Sequence, residues 1–168
     1  QKAFETALQL FPGANLINDN LIHHVEDVED RADVALINPP FSIHIEKESL
    51  PLANAQWGVL GPKSSVQSHI AAVEIALRSA SLVGAMLPEG FFSNESTRTV
   101  ERWINNRASL ILKVDIPGQL FREAGFEWPC AVVIWQQEHT AAETTACSIS
   151  AWEELDGILQ AWVATPQY

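Results

Sequence analysis

Asp33-Val34-Ala35-Leu36-Ile37-Asn38-Pro39-Pro40-Phe41-Ser42 is the stretch whose reading decides the fold. Its first half is rich in Val, Leu and Ile and shows no polar alternation, which is how a strand buried on both faces of a parallel sheet reads. Its second half stops that strand. Two consecutive prolines fix φ near −65° and bias Asn38 and Pro39 away from the α region, so the backbone leaves the strand extended and stiff. Neither proline has an N–H to satisfy. The carbonyls of Asn38 and Pro39 and the Asn38 side-chain oxygen are therefore available as acceptors facing one way.

Moving outward, apolar residues at Phe4, Ala7, Leu8 and Phe11 have helical spacing and predict a helix over Lys2–Phe11 that Pro12-Gly13 stops. Ala14–Ile17 reads as a short strand closing in Asn18-Asp19-Asn20, followed by a polar, acidic loop. Downstream of the double proline, Ser42–Ser65 has no sustained period and reads as a long loop, of the kind that is usually functional in a compact domain. Val66–Ser81 reads as a helix with one apolar stripe and Ser64 or Ser65 as its N-cap. Leu82–Leu87 is a second buried strand, ended by Pro88-Glu89-Gly90. A helix over Ser96–Asn106, strands at Ser109–Asp115 and Cys130–Trp135 around the loop Pro117–Pro129, a short strand near Cys147–Ser150 and a helix over Trp152–Val163 complete the pattern. Strands alternating with helices of this length imply right-handed crossovers and an open, mostly parallel sheet with helices on both faces. In such sheets ligands bind outside the carboxyl ends of the strands. Asn18-Asp19-Asn20, Asn38–Phe41 and Pro88-Glu89-Gly90 all fall there.

With 168 residues the chain is the size of one domain and long enough to bury a core, and 47% apolar with 18% charged residues is ordinary for a globular protein. Its apolar stretches fall far short of the roughly 18–20 residues that cross a bilayer, so no membrane span is expected. Cys130 and Cys147 are distant in sequence and make no metal-ligand spacing, and the adjacent His23-His24 point to opposite faces of any strand, so neither a disulfide framework nor a metal site is expected, and a reducing cytoplasm fits. The formal net charge of −11 argues against this chain alone gripping a polyanion.

Two acceptors aimed in one direction suit a particular chemistry. An exocyclic amino group conjugated to an aromatic ring is a poor nucleophile because its lone pair is delocalised. Acceptors that hold both its hydrogens favour a pyramidal nitrogen whose lone pair faces an electrophilic carbon. Phe41 adds a flat face on which a purine can stack, worth about 1–3 kcal/mol for a base on an aromatic ring. The plainer reading is a strand-to-loop stop without chemistry.

The run Asp33–Ser42 resembles the catalytic motif of the N6-adenine DNA methyltransferases, enzymes that use S-adenosylmethionine and hold a flipped adenine at (D/N)PP(Y/F/W). Leu82–Phe92 is similar to the strand and turn after that motif, and Leu110–Gln136 to the paired strands that close the sheet, in the motif order of type I and gamma-class enzymes. The resemblance covers roughly residues 14 to 137. It implies a Rossmann-like class I methyltransferase sheet and catalytic roles for Asn38, Pro39, Pro40 and Phe41. It also implies a contact from Asp19 to the adenine of S-adenosylmethionine, with a polar turn as the alternative for Asp19.

The family's glycine-rich cofactor loop and ribose-binding acid are missing: Gly58-Val59-Leu60-Gly61 and Gly84 are in the wrong places. The expectation is one partial catalytic domain over residues 1–168, from the third strand onward, incomplete on its cofactor-loop side, without a target-recognition domain and inactive alone. Truncation, a split gene or a degenerate remnant would each account for such a chain. The implied setting is a restriction-modification or phage-defence system. DNA would be gripped by parts outside this chain, with a specificity subunit or the missing N-terminal portion as partner. Glutamine or RNA N-methylation and a non-catalytic interaction module are the alternatives.

Overall fold

The computed structural model describes residues 2–17, 19, 32–41, 43–46, 65–93, 97–137 and 143–164. The expected helix at the start is present as α1 (Lys2–Leu10), and the chain turns at Pro12-Gly13, where the Ala14 N–H donates to the Phe11 carbonyl. Ala14–Ile17, expected as a strand, is irregular instead and has no ladder partner among the described residues. A four-residue stretch does not make a strand without a neighbour to take its N–H and C=O groups. The acidic loop 20–31 lies outside the described residues.

The sheet is built from β1 (Ala32–Ile37), β4 (Ala80–Pro88), β6 (Cys130–Gln136), β5 (Ser109–Ile116) and β7 (Thr145–Ser148), in that spatial order. β1 pairs parallel with β4, β6 runs antiparallel to both β4 and β5, and β5 pairs parallel with β7. All but β6 therefore point the same way, which is the mostly parallel sheet expected. Two short strands between β1 and β4, β2 (His44–Glu46) and β3 (Ser65–Gln67), form an antiparallel pair. They occupy the ends of the stretch read as one long loop; its interior, 47–64, lies outside the described residues.

The helices pack on both faces, because successive strand residues point to opposite sides. On one side Val83, Ala85 and Leu87 of β4 and Ala131, Val133 and Trp135 of β6 meet α2 (Ser68–Ser79) and Val100, Trp103 and Ile104 of α4 (Arg98–Asn105). On the other, Leu112, Val114 and Ile116 of β5, with Val132 and Ile134 of β6, meet Phe121 and the inner residues of α5 (Trp152–Ala164), including Leu155, Ile158 and Leu159. A one-turn helix α3 (Gly90–Ser93) follows β4, and a 3-10 helix (Gly118–Ala124) follows β5 within the expected loop.

Three expectations are corrected. β1 is not buried on both faces: Val34 is 50% and Leu36 82% exposed, and among the described residues β1 is an edge strand paired with β4 alone. The cap of α2 is Gln67, with no side-chain cap bond, because Ser65 is taken into β3; Ser64 lies outside the described residues. The helix is also buried all round from Ser68 to Leu77 instead of along one stripe.

Candidate active site

The parallel strands deliver their carboxyl ends to one rim. β1 brings Asn38 there, β4 brings Pro88 and Glu89, and β5 brings Ile116 and Pro117, while antiparallel β6 starts there at Cys130. Asn38 and Pro40 are exposed, and Pro39 and Phe41 are half-buried. No hydrogen bond occupies the Asn38 side chain among the described residues.

The turn is held from behind by the first residues of α2. Ser68 Oγ donates to the Pro40 carbonyl at 2.5 Å, and the Ser68 backbone N–H donates to the Ile43 carbonyl at 2.8 Å. His69 Nδ1 donates to the Phe41 carbonyl at 2.9 Å. A carbonyl only accepts, so Nδ1 carries the hydrogen, and the neutral ring keeps its lone pair on Nε2. Burial holds the His69 pKa below its ordinary value; the bond to Phe41 opposes that shift in part, and nearby His44 adds to it.

His69 is 3% exposed and is clamped between rings. It stands edge-on to Phe41 at 6.2 Å and 89°, and to Phe91 at 6.0 Å and 64°. From Phe91 the contacts continue to Phe92 at 5.1 Å, and Phe92 stacks on Trp135. Lys113 Nζ lies 5.2 Å over the Phe92 ring and 2.7 Å from Asp115 Oδ1. Such edge-to-face contacts each add about 0.5–1.5 kcal/mol beyond area burial, so Phe41 is tied to the core on its inner side.

Further along the rim, a cleft of about 480 Å³ is lined by Glu89, Asp115, Pro117, Gly118, Glu127 and Ser148, among others. Strands about 4.8 Å apart put the end of β5 roughly 15 Å from that of β1. The cleft's carboxylates are partly neutralised, Asp115 by Lys113 and Glu127 by Arg122 at 2.7 Å. What remains is rich in acceptors, which suits an amino-bearing ligand and repels phosphate.

The structure thus keeps Asn38, Pro39, Pro40 and Phe41 together at the rim. Asp19 lies in a bend and is exposed. Sequence reasoning missed Ser68 and His69, whose partners lie 28 residues away. The available signal was a Ser-His pair opening a largely apolar helix, where a buried polar side chain requires a partner.

No model of a known protein family matches the sequence, and no curated protein sequence matches it. Solved structures do. A chain assigned to the class I S-adenosylmethionine-dependent methyltransferases from Listeria monocytogenes superposes with a TM-score of 0.61 at 14% identity, over 89% of this chain and 44% of that one. A type I restriction-modification assembly has a chain with a TM-score of 0.65 at 16% identity, over 90% of this chain and 34% of its own. The methyltransferase subunit of a type I restriction-modification system from Streptococcus thermophilus gives 0.56 at 14% identity, over 92% and 34%. The fold is the Rossmann-like class I methyltransferase fold. This chain spans less than half the length of each of these three.

Proposed function

We propose that this chain forms the target-amine half of the active site of an S-adenosylmethionine-dependent DNA methyltransferase acting on adenine N6, in a restriction-modification or phage-defence system. The observation that carries the reading is Asn38-Pro39-Pro40-Phe41 at the carboxyl end of a parallel strand in this fold, its Asn38 side chain exposed on the rim.

The Asn38 side-chain oxygen and the Pro39 carbonyl take the two hydrogens of the exocyclic amine, which frees its lone pair. Phe41, steadied by His69, offers the stacking face for the flipped base. S-adenosylmethionine, held by parts outside this chain, would supply the electrophilic methyl group; Asn38 and Pro39 would hold the amine facing it and let its proton pass to solvent. Orientation and fixed dipoles do the work, without a strong general base.

Among the described residues Asp19 is the candidate contact for the donor, and the sequence has no glycine-rich loop at the required place. We therefore hold that this chain alone does not bind the donor, and that the donor half, the DNA grip and any specificity subunit come from elsewhere. The formal net charge of −11 agrees with a borrowed DNA grip.

Glutamine or RNA methylation would use the same acceptors and is the competing reading. Full-length protein incubated with tritiated S-adenosylmethionine and unmethylated DNA, RNA or protein separates the two. Label in DNA, recovered as N6-methyladenine after nucleoside digestion, is expected; label confined to RNA or protein overturns the DNA assignment. Calorimetric titration of this chain with S-adenosylmethionine is expected to give no heat of binding. Micromolar affinity would show that the chain holds the donor without help.

A further inference from the structure

We infer that Ser68 and His69, the first two residues of α2, are positioning residues that set the direction of the Asn38 acceptors by holding the carbonyls immediately behind them. The inference rests on the reading of Asn38–Phe41 as the amine-binding turn, and goes beyond it in assigning roles to a helix that contains no part of that turn.

Three hydrogen bonds run from two consecutive residues into one short segment: Ser68 Oγ to the Pro40 carbonyl, Ser68 N–H to the Ile43 carbonyl and His69 Nδ1 to the Phe41 carbonyl. The segment needs such support from outside. Pro39 and Pro40 have no N–H, so the turn cannot brace itself with bonds of its own from those positions. The φ angles of both prolines are set by their rings, but their ψ angles are not, and ψ decides where each carbonyl points. Fixing the carbonyls of Pro40 and Phe41 fixes the ψ angles of Pro40 and Phe41, while the Pro39 ψ is already restricted to the extended region by the proline that follows it. By chain continuity this leaves the Asn38 and Pro39 acceptors little freedom.

The side chains chosen are informative. Between Ile70 and Leu77 α2 is apolar apart from Glu74, which pairs with Arg78, and every residue from Ser68 to Leu77 is buried. Ser68 and His69 are exceptions whose placement is explained by the turn, since no side chain at the N-cap makes the usual capping bond. A helix start that needed only burial would be served by Ala or Leu at both positions.

His69 has a second function. Its ring lies edge-on to Phe41 and to Phe91, so it fixes the tilt of the Phe41 ring and, through Phe91, links that ring to Phe92 and Trp135 in the core. A stacking platform with a set tilt captures a base in one orientation only. The amine then arrives where the acceptors are.

The test uses methyl transfer by the full-length protein, with kcat and the KM for DNA measured separately and thermal unfolding recorded for each variant. His69→Leu removes the donor but keeps bulk. His69→Asn places an amide N–H close to where Nδ1 was. Ser68→Ala removes one hydroxyl from the helix and is the variant least expected to disturb folding. Misplacement near 1 Å costs up to about 100-fold in rate, so His69→Leu is expected to lower kcat by about 10- to 100-fold with KM within about threefold. His69→Asn should recover most of the loss, and Ser68→Ala should lower kcat by about 3- to 10-fold at nearly unchanged unfolding temperature.

Wild-type kcat in Ser68→Ala and His69→Leu, with Asn38→Ala inactive, overturns this inference and leaves the amine-site reading intact. Equal loss of kcat in His69→Leu and His69→Asn, tracking lost thermal stability, also overturns it, because the residue would then be only a packing element. Wild-type kcat in Asn38→Ala removes the amine-site reading itself, and this inference with it.

Discussion

Replacing Gly118 by Ala tests the construction of the rim where β5 ends. A Cβ at that position would lie 2.2 Å from the Glu127 carbonyl oxygen, 2.6 Å from its carbonyl carbon and 3.1 Å from the Pro129 nitrogen. Non-bonded heavy atoms settle at about 3.5–4.0 Å, so the segment must retreat by more than about 1 Å. All three atoms belong to the backbone of a segment fixed at both ends. The Glu89 N–H donates to the Pro129 carbonyl at 3.0 Å, and Arg122 Nε donates to Glu127 Oε1 at 2.7 Å. Overpacking of this sort costs about 1–3 kcal/mol, and the backbone contact places Gly118→Ala at the upper end. For a chain of this length each kcal/mol shifts the melting temperature by about 2–4 °C, so a fall of roughly 6–12 °C is expected. Gly84→Ala is the internal control. Its Cβ would meet Leu36 Cδ2 at 2.7 Å, but Leu36 is the exposed end of a side chain on an edge strand and can swing away. Its melting temperature should stay within about 2 °C of wild type, a change under 1 kcal/mol. Differential scanning calorimetry of the three proteins decides. Equal melting temperatures for Gly118→Ala and wild type, or equal losses in both variants, would refute the reasoning from backbone against side-chain contact.

Two further outcomes follow from the core behind the turn. Trp135→Ala removes a side chain that is 2% exposed and stacked on Phe92, so it should lower unfolding free energy by about 3–5 kcal/mol in urea titrations; a loss below about 1 kcal/mol would mean that the aromatic chain is not structural. His69 has a pKa below its ordinary 6.5 in the folded chain, so on acidification the unfolded chain takes up its proton first. Its contribution is fully present above pH 6.5 and is lost as pH falls through the lower folded value. The melting temperature should decline in that window in wild type and lose this component in His69→Asn; parallel curves for the two would contradict it.

The double proline was legible because its constraint is covalent and local: it acts on φ and on the missing N–H whatever surrounds it. The order of strands and helices was legible for a similar reason, since Val66–Ser81, Leu82–Leu87 and Cys130–Trp135 carry enough side chains to show a period, and each reappears with ends shifted by a few residues. β2 and β3 contain three residues each, too few for any alternation to register. The exposure of β1 was not legible because composition reports that Val34 and Leu36 are apolar and not which neighbours they have. Ser68 and His69 were missed because their significance lies in tertiary hydrogen bonds to carbonyls across a long intervening segment. Asp19 carries its expected role by resemblance alone, and the structure adds only that it is exposed.

The central claim is that Asn38 presents acceptors to an amine that becomes methylated. The measurement that tests it most directly is tritium transfer from S-adenosylmethionine to unmethylated DNA by the full-length protein carrying Asn38→Ala, beside the unsubstituted protein. The account predicts a rate lower by at least ~10², as for other sites that work through fixed dipoles, with the melting temperature preserved because the side chain is exposed and without a hydrogen bond among the described residues. Transfer at the unsubstituted rate would contradict it.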